Sequence, residues 1–399
     1  MAKIKTTVSE MTRALDTIEV VLNDKLVSEE LRNLIFYIKG DEVKVVGKNV
    51  SVCCIANIEA EVDGVQEDLI PVRAKELCSV LGTYKSLRRT KATDIVFDIK
   101  DNSIKCTISE EPASESMDFS EKYYRESVYT FPRPRSVTEM VRQEIYSATT
   151  IPNGVEIKRS DVKYYMDALL PTIKEGQGDI TSWLHLVGDY IYTVPSAYIA
   201  LMHNKLDGLF RDFVLKSTVA NFIGRFFELS ETTTFAKKEE GDVVLISLEN
   251  ENAQAIIRAM PKRMAFKLTN YMGIPAQGVC VDKGYLVDVL KRLVLSKENI
   301  SMTIPGDGDI VLKTAKSSAT IPVLFTRFED NFEGMCVSIL PDVFENIIFS
   351  HKDFGTLVYL YFEKVDNKWF MTVTDNGLYE DGSHIWMTKI NCEAKRVQQ

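Results

Sequence analysis

One small module recurs six times along this chain, and the recurrence limits the folds that are open to it. Each copy has a polar residue that can cap a helix, an amphipathic helix of about 12 residues, and short alternating strands separated by a Gly or Asp turn. Successive copies begin roughly 60 residues apart, with one longer interval between the second and the third. A repeated supersecondary unit usually stacks on its neighbours and shares its sheet edges with them. The six predicted helices begin near Ser9, Arg73, Ser160, Ser217, Asp282 and Pro341.

Pairs of modules predict three similar domains. A single module has one apolar helix face and one apolar sheet face, so two modules can bury their helices against their sheets. The predicted fold class is therefore α+β, with three similar domains that each contain two β-α-β-β-β modules. These domains cover residues 1–135, 150–262 and 272–392, and a polar tail follows at 393–399.

The segment from about 110 to 150 interrupts the repeat. It contains charged runs and the sequence FPRPR, and Pro132 and Pro134 cannot join a central strand of a sheet. We therefore predict a domain connection with an insertion here, which explains the one long interval. A second connection is predicted from Pro261 to Ala276.

Composition excludes several classes of protein. The chain has 399 residues, of which 45% are hydrophobic and 26% charged, as is typical of a globular protein with two or three domains. No apolar run approaches the length of a membrane span, and the N-terminal segment lacks the apolar core of a secretory signal. Seven cysteines without a CxxC spacing favour reduced, buried thiols in a cytoplasmic protein.

Signatures of catalysis are not found in the sequence. It contains no GxSxG, no phosphate-binding loop and no GxGxxG, and its four histidines are scattered. The acidic runs PGDGD and DNGLYEDG have metal-ligand types, but hairpin turns explain their Asp and Gly content better. We therefore predict that the protein is not an enzyme and has neither a metal site nor a cofactor.

The order of elements in two stretches is typical of a known family. The first module pair contains LRNLIFYIKGDEVKVVGKNVSVCCIANIEAEV, then EDLIPVRAKELCSVLGTYKS, then DIVFDIKDNSIKCTIS. This succession of a strand pair, a turn, a helix start of the Val-Pro-Ala-Lys type and a final hairpin resembles the bacterial-type sliding clamp, the beta subunit of the replicative DNA polymerase. The later stretch DKGYLVDVLKRLVLSKENISMTI also resembles that family.

The resemblance implies a DNA clamp without chemistry of its own. Two chains of three domains would join head to tail into a homodimeric ring, with the helices inside and the sheets outside. Such a ring would encircle double-stranded DNA without reading its sequence, and would tether the DNA polymerase after a clamp loader had placed it. It would work in the cytoplasm, or in the host cytoplasm if the protein is viral.

Basic residues fit an inward positive lining of that ring. The net charge of −9 argues against a protein that binds nucleic acid with its whole surface, so the positive charge must be concentrated. Acidic residues crowd the strands and turns, whereas lysine and arginine recur on or beside the helices, most densely from Lys85 to Lys91. A solvated helix face carries lysine in many proteins and is the alternative explanation. The candidate DNA-binding residues are Arg13, Arg73, Lys75, Lys85, Arg88, Arg89, Lys91, Lys163, Lys216, Arg225, Lys291 and Arg292.

A partner pocket between the second and third domains is also implied. The family's usual Thr-Asp-Gly-His-Arg-Leu-Ala corresponds here to VPSAYIA, which keeps only the apolar end, and the family's C-terminal Met-Pro-Met-Arg-Leu is replaced by HIWMTKI and a polar tail. These departures indicate a divergent clamp, such as one from a virus of bacteria. For Trp386 and Met387, packing in the core of the third domain is an equal alternative to a role in the pocket. The candidate pocket residues are Val194, Ser196, Tyr198, Ile199, Trp386 and Met387.

The ring interface would join the first domain of one chain to the third domain of the other. By position it would use the last strand of the first domain and the end of the fifth helix, because an exposed strand edge invites pairing. The candidate interface residues are Ile104, Cys106, Ile108, Val294 and Leu295. The alternative function is a structural or scaffold repeat protein that does not encircle DNA, which would not need its cations on one side of the helices.

Overall fold

The structure, a computed structural model, describes most of the chain. The described residues are 2–22, 33–64, 67–86, 90–112, 125–134, 136–173, 183–194, 198–206, 208, 210–268, 277–294, 298–304, 308–327, 334–339, 356–365, 368–374 and 386–396. Within these ranges, no helix combines the length and the apolar character that crossing a membrane requires.

Helices begin where the sequence predicts them. Five of the six described α-helices start within one residue of a predicted start. The first buries Met11, Leu15, Ile18 and Leu22 of its apolar stripe, whereas in the second Val80 is only half-buried. The predicted start near Pro341 lies outside the described residues. One helix, the third, was not predicted. The helices are α1 (Val8–Leu22), α2 (Ala74–Ser86), α3 (Glu139–Tyr146), α4 (Arg159–Leu169), α5 (Ser217–Glu228) and α6 (Lys283–Val294).

Strands make up the larger part of the described chain, and all of their pairings are antiparallel. They are β1 (Ala2–Thr7), β2 (Asn33–Lys39), β3 (Glu42–Lys48), β4 (Val52–Ile58), β5 (Ala60–Asp63), β6 (Glu67–Arg73), β7 (Thr90–Ile99), β8 (Ser103–Pro112), β9 (Arg125–Pro132), β10 (Val155–Lys158), β11 (Leu184–Val187), β12 (Tyr190–Thr193), β13 (Tyr198–His203), β14 (Phe213–Leu215), β15 (Thr232–Glu240), β16 (Val243–Glu249), β17 (Ala253–Pro261), β18 (Gln277–Asp282), β19 (Ile300–Ile304), β20 (Ile310–Lys313), β21 (Ser318–Ile321), β22 (Val323–Arg327), β23 (Met335–Ile339), β24 (Leu357–Val365), β25 (Lys368–Thr374) and β26 (Trp386–Arg396).

The chain divides into two compact units. Unit 1 contains residues 1–160 and 221–259, and unit 2 contains residues 161–220 and 260–399. The boundary runs through α4 and α5 and therefore through the predicted second domain. The division into three domains stays a prediction.

Two sheets form unit 1. One has the strand order β5-β1-β7-β8-β9, and the other runs β10-β15-β16-β17-β4-β3-β2-β6. Helix α1 packs against β3 and β4 of the second sheet and β7 of the first, so the core lies on the helix side of both. The pairing of β17 with β4 joins a strand of the predicted second domain to a strand of the predicted first domain.

Unit 2 is built in the same way. Its larger sheet has the order β22-β18-β24-β25-β26-β13-β12-β11-β14, and its smaller sheet runs β26-β23-β19-β20-β21. The long strand β26 belongs to both sheets. Its pairing with β13 again joins strands of two predicted domains.

Helix α3 corrects the prediction for the segment 110–150. Within this segment lie β9, which adds an edge strand to the first sheet of unit 1, and α3, which covers the outward face of β2, β3, β4 and β6. Strand β4 is consequently buried at five successive positions instead of alternating between buried and exposed. The buried cluster under α3 consists of Ile35, Val46, Cys53, Ile55, Leu69, Val137, Val141 and Ile145.

The cysteines agree with the prediction of reduced thiols. The six whose side chains are described are all free, and four of them are buried: Cys53, Cys54, Cys106 and Cys280. Burial raises the pKa of the Cys106 thiol to about 12, so this group stays protonated.

Candidate functional site

Five of the twelve predicted DNA-binding residues lie on exposed helix faces. In the described chain, Lys75, Lys163, Arg225, Lys291 and Arg292 are exposed on α2, α4, α5 and α6. Two of the predicted cations are partly matched by neighbouring acids. Arg73 and Lys163 form ion pairs one helical turn along, at 3.1 Å to Glu76 and 3.6 Å to Asp167.

Other predicted cations stand at or near the ends of helices. Lys216, directly before α5, lies with its Nζ 5.8 Å from the ring centre of Trp183. The cluster from Lys85 to Lys91 spans the end of α2 and the start of β7. Arg88 and Arg89 lie outside the described residues, as do the side chains of Lys85 and Lys91.

Arg13 has partners within unit 1. Its guanidinium donates hydrogen bonds to Asn252 Oδ1 (2.5 Å), Glu10 Oε2 (2.6 Å) and the carbonyl oxygen of Asn57 (2.9 Å). These contacts connect α1 to the end of β4 and to the turn before β17. Helix α1 also carries Glu10, Asp16 and Glu19 against this single cation, so its charged face is net negative.

The end of α6 has the opposite balance. Lys291 and Arg292 are both exposed in its last turn, where cations complement the helix dipole, and Asp288 is the one acid of this helix. Lys283 at its first position is buried. Positive charge is therefore more concentrated at the end of α6 than on α1.

The strand edges differ from those predicted. Strand β8 pairs with β7 on one side and β9 on the other, and Ile104, Cys106 and Ile108 are each 0% exposed. The prediction that this segment is an exposed edge is wrong, because the sequence after it supplies one more strand. Among the described pairings, β9 pairs only with β8 and forms the edge, and its Val128 is 51% exposed.

Unit 2 has an edge of the same kind. Among the described pairings, β22 pairs only with β18, and its side chains Leu324 and Phe325 are 58% and 61% exposed. The end of the fifth predicted helix, α6, lies at Val294, whose side chain lies outside the described part together with Leu295.

Predicted pocket residues come together in unit 2. Strand β13 pairs with β26 so that Leu201 lies opposite Met387 and Met202 opposite Trp386. The side chains of these two C-terminal residues and the whole of Ser196 lie outside the described residues. The backbone register nevertheless brings the two predicted halves of the pocket to adjacent strands.

An apolar cluster covers this part of the sheet. Val194 and Ile199 are buried in it beside Tyr192, Leu201 and Leu268, and half-buried Val187, Tyr190 and Phe266 pack at its border. Tyr192 donates a hydrogen bond of 2.5 Å to the carbonyl oxygen of Phe266, which fixes the segment after β17 to the sheet. Burial raises the pKa of Tyr192 to about 12, so the hydroxyl remains a donor. The segment at 266–268 was missed by the sequence reasoning, although Phe266 and Leu268 have the spacing of an extended segment with one apolar side.

The described histidines have the surroundings of structural residues. His185 is 0% exposed and stacks on Tyr192 with ring centres 4.9 Å apart, and His203 meets Tyr190 edge to face at 5.8 Å. Within the described chain no three His, Cys, Asp or Glu side chains are grouped as metal ligands would be.

Comparison with known proteins gives structural matches alone. No protein-family model matches the sequence, and no curated protein matches it either. Among solved structures, the DNA polymerase III beta subunit of Thermotoga maritima is similar with a TM-score of 0.72 at 14% identity, over 98% of this chain and 99% of that chain. A putative DNA polymerase III beta subunit of Eubacterium rectale gives 0.71 at 12% identity, over 98% and 100% of the two chains. The DNA polymerase sliding clamp of Bacillus subtilis gives 0.70 at 10% identity, over 98% and 99%. The predicted α+β fold class is thus confirmed, and over nearly its whole length this chain has the fold of the bacterial sliding clamps.

Proposed function

We propose that this protein is a DNA sliding clamp, a homodimeric ring that encircles duplex DNA and tethers a polymerase. The observation that carries the proposal is the fold: 98% of the chain matches structures of clamp subunits from three bacteria. A clamp holds DNA by topology, so the fold itself, and not a catalytic group, supplies the function.

The proposed DNA contacts are non-specific. The exposed cations on the ends of α5 and α6 and beside α2 attract phosphates without reading bases. We place the strongest contribution at Lys291 and Arg292 and in the cluster from Lys85 to Lys91, because there the cations outnumber the acids. Arg13 contributes least, since its guanidinium is engaged by Asn252, Glu10 and Asn57.

The proposed ring closes through two strand edges. An unpaired edge offers a row of backbone donors and acceptors to a strand of another chain. Strand β9 of one chain would pair with β22 of the other, with Val128, Leu324 and Phe325 buried in the new contact. Exposed apolar side chains on both edges support this choice, because each is large and solvated in the single chain.

The proposed partner groove lies over β11, β12 and β13. A short hydrophobic peptide from the polymerase or the clamp loader would pack against the half-buried Val187, Tyr190 and Phe266 at the border of the apolar cluster. Because this chain has VPSAYIA where the family has a Gly-His-Arg centre, the groove accepts a peptide of different sequence from the family's usual one.

Two measurements test the proposal in sequence. Light scattering should give a mass about twice the 45.2 kDa chain, and Phe325→Asp together with Val128→Asp should reduce it to a single chain. Met140→Asp is the matched control, since Met140 is 68% exposed on α3 and plays no part in either edge.

Topological retention is the decisive assay. The dissociated chain is concentrated in the presence of nicked circular DNA, so that rings assemble around it, and the complex is then passed through a sizing column at high salt. A clamp remains on circular DNA and is lost when the DNA is cut once. A stable dimer that leaves circular and linear DNA equally fast would refute encirclement and favour the scaffold alternative.

A further inference from the structure

Unit 1 contains a cavity that none of the preceding sites uses. Its volume is about 440 Å³, within the range of pockets that hold small molecules. Three segments enclose it: the connection between β3 and β4, the end of α3 with the residues that follow, and the outward faces of β15, β16 and β17. All three belong to unit 1.

Two cations and one carboxylate meet in its wall. Lys48 Nζ lies 2.6 Å from Glu144 Oε2, and Arg258 Nη2 lies 3.2 Å from Glu144 Oε1. Lys48 is 7% exposed, whereas the Arg258 side chain is 54% exposed and reaches the rim. One carboxylate balances only one of the two cations, which leaves a positive charge in a chain whose net charge is −9.

Other ionisable groups around the cavity do not cancel this charge. Lys238 and Glu240 pair with each other at 2.7 Å. Burial raises the pKa of the Cys53 thiol to about 11, so it is neutral. Burial opposes ionisation of Glu144, but the hydrogen bonds and charges of Lys48 and Arg258 outweigh it and lower the pKa of that carboxyl. Glu144 is therefore already charged and included in the balance.

An apolar wall stands next to the cations. On the outward face of β16 and β17, Leu245 lies directly opposite Arg258, and both Leu245 and Ile256 line the cavity and are half-buried. Their neighbours on the inward face, Ile246 and Ile257, are each 0% exposed. The outward pair thus keeps apolar surface that a ligand can cover.

We propose that this cavity binds a small ligand in which one carboxylate is joined to an apolar body. The carboxylate lies against Arg258 and Lys48, since a guanidinium binds a carboxylate through two parallel N–H groups. The body packs on Leu245 and Ile256. The carboxyl-terminal residue of a peptide and a free organic acid share this chemistry.

The test uses the full chain with methyl-labelled isoleucine and N-acetyl-leucine as probe. At millimolar probe concentrations the Ile256 methyl signals should shift and saturate, while those of Ile310, in unit 2, stay in place. The neutral amide of the same probe should bind about tenfold more weakly. No saturable shift of Ile256, or equal affinity for acid and amide, would overturn the proposal.

Two variants distinguish the contribution of the cations to binding from that of the apolar wall. Arg258→Gln should weaken acid binding about tenfold and leave amide binding unchanged, whereas Leu245→Trp should fill the cavity and abolish both. Lys316→Gln, at an exposed lysine of unit 2, is the control with the same loss of charge. Unchanged acid binding in Arg258→Gln contradicts the assignment, and if that variant does not fold, Leu245→Trp and the amide comparison still decide.

A tripeptide that ends in leucine identifies the source of the ligand. Binding at least about tenfold tighter than N-acetyl-leucine supports the cavity as a site for peptide carboxyl termini. Equal or weaker binding supports a free organic acid in the same site.

Discussion

Two buried side chains make the main apolar contribution to the docking of helix α3, and Ile145→Ala tests this. Val141 and Ile145 are each 2% exposed in the cluster under the helix. A helix of eight residues does not form alone in water, so α3 is helical only while it is docked on the sheet. Burial of Val141 and Ile145 contributes about 1.5–3 kcal/mol each before the cost of ordering the segment.

Ile145→Ala should remove a large part of the free energy that docks α3 on the sheet. Truncation of a buried isoleucine to alanine costs about 2–5 kcal/mol. If about 2–3 kcal/mol of this falls on docking, the open fraction of α3 rises about 30- to 150-fold. The sheet beneath keeps its own pairings, so the effect is local opening and not global unfolding.

Amide hydrogen exchange measures the opening directly. Within α3 the amide of Arg142 donates to Thr138 and the amide of Ser147 to Gln143, both at 2.9 Å, and these two amides should exchange faster by the factor given above. Met140→Ala on the exposed face of the same helix should leave both rates within about threefold of wild type. Equal rates in Ile145→Ala and Met140→Ala would refute the argument that burial of Ile145 holds the helix.

Three further predictions follow from single contacts. The folded-state pKa of Glu144 lies below the ordinary value of 4.5, because Lys48 and Arg258 outweigh the opposing effect of burial. Ionised Glu144 therefore stabilises the fold fully above pH 4.5, and this stabilisation is lost as pH falls through the lower folded-state pKa. Amide hydrogen exchange in α3 should rise over that fall in pH. Gly278→Ala places a Cβ against the Leu360 carbonyl oxygen and should lower the free energy of unfolding by about 1–3 kcal/mol, as measured by urea titration. In the control Gly82→Ala, the added Cβ meets no atom within 4 Å, and the better helix former in α2 should raise the free energy of unfolding by about 0.5–1 kcal/mol. Tyr192→Phe removes one hydrogen bond and should cost about 0.5–1.5 kcal/mol and increase exchange at residues 266–268, with unchanged exchange contradicting a role in fixing that segment.

Periodicity predicted the helices well because it is a local signal. Five helix starts were correct to one residue, since a polar cap followed by an apolar stripe depends on neighbours in sequence. Helix α3 has such a stripe as well, with Val137, Val141 and Ile145 four residues apart, but the prolines before it favoured a connection. Pro132 was compatible with a strand after all, because β9 is an edge and Pro132 is its last residue.

Strand pairing between distant segments was not predictable in the same way. The register that joins Ala255 to Cys54, or Leu201 to Met387, depends on surfaces about 190–200 residues apart in sequence, for which a single sequence has no local signal. The same reason explains why the segment Ile104–Ile108 was wrongly predicted to be an exposed strand edge. An alternating strand at Ile104–Ile108 has the same pattern whether one or two neighbours flank it, and only the position of β9 distinguishes the two cases.

The sheet that contains the β17–β4 pairing and the sheet that contains the β13–β26 pairing are built alike, but their outward faces are covered differently. This difference bears on the proposed partner groove. In unit 1 the outward face of the sheet is covered by the chain's own helix α3, which buries Ile35 and Leu69 nearly completely. In unit 2 the cover is the short extended segment at 266–268, which leaves Val187, Tyr190 and Phe266 half-buried at the border of the cluster. An incoming hydrophobic peptide gains more burial where apolar surface is still partly solvated. This difference is the reason for placing the proposed partner groove on the outward face of unit 2, and the proposed ligand site of unit 1 in the charged cavity at the end of α3.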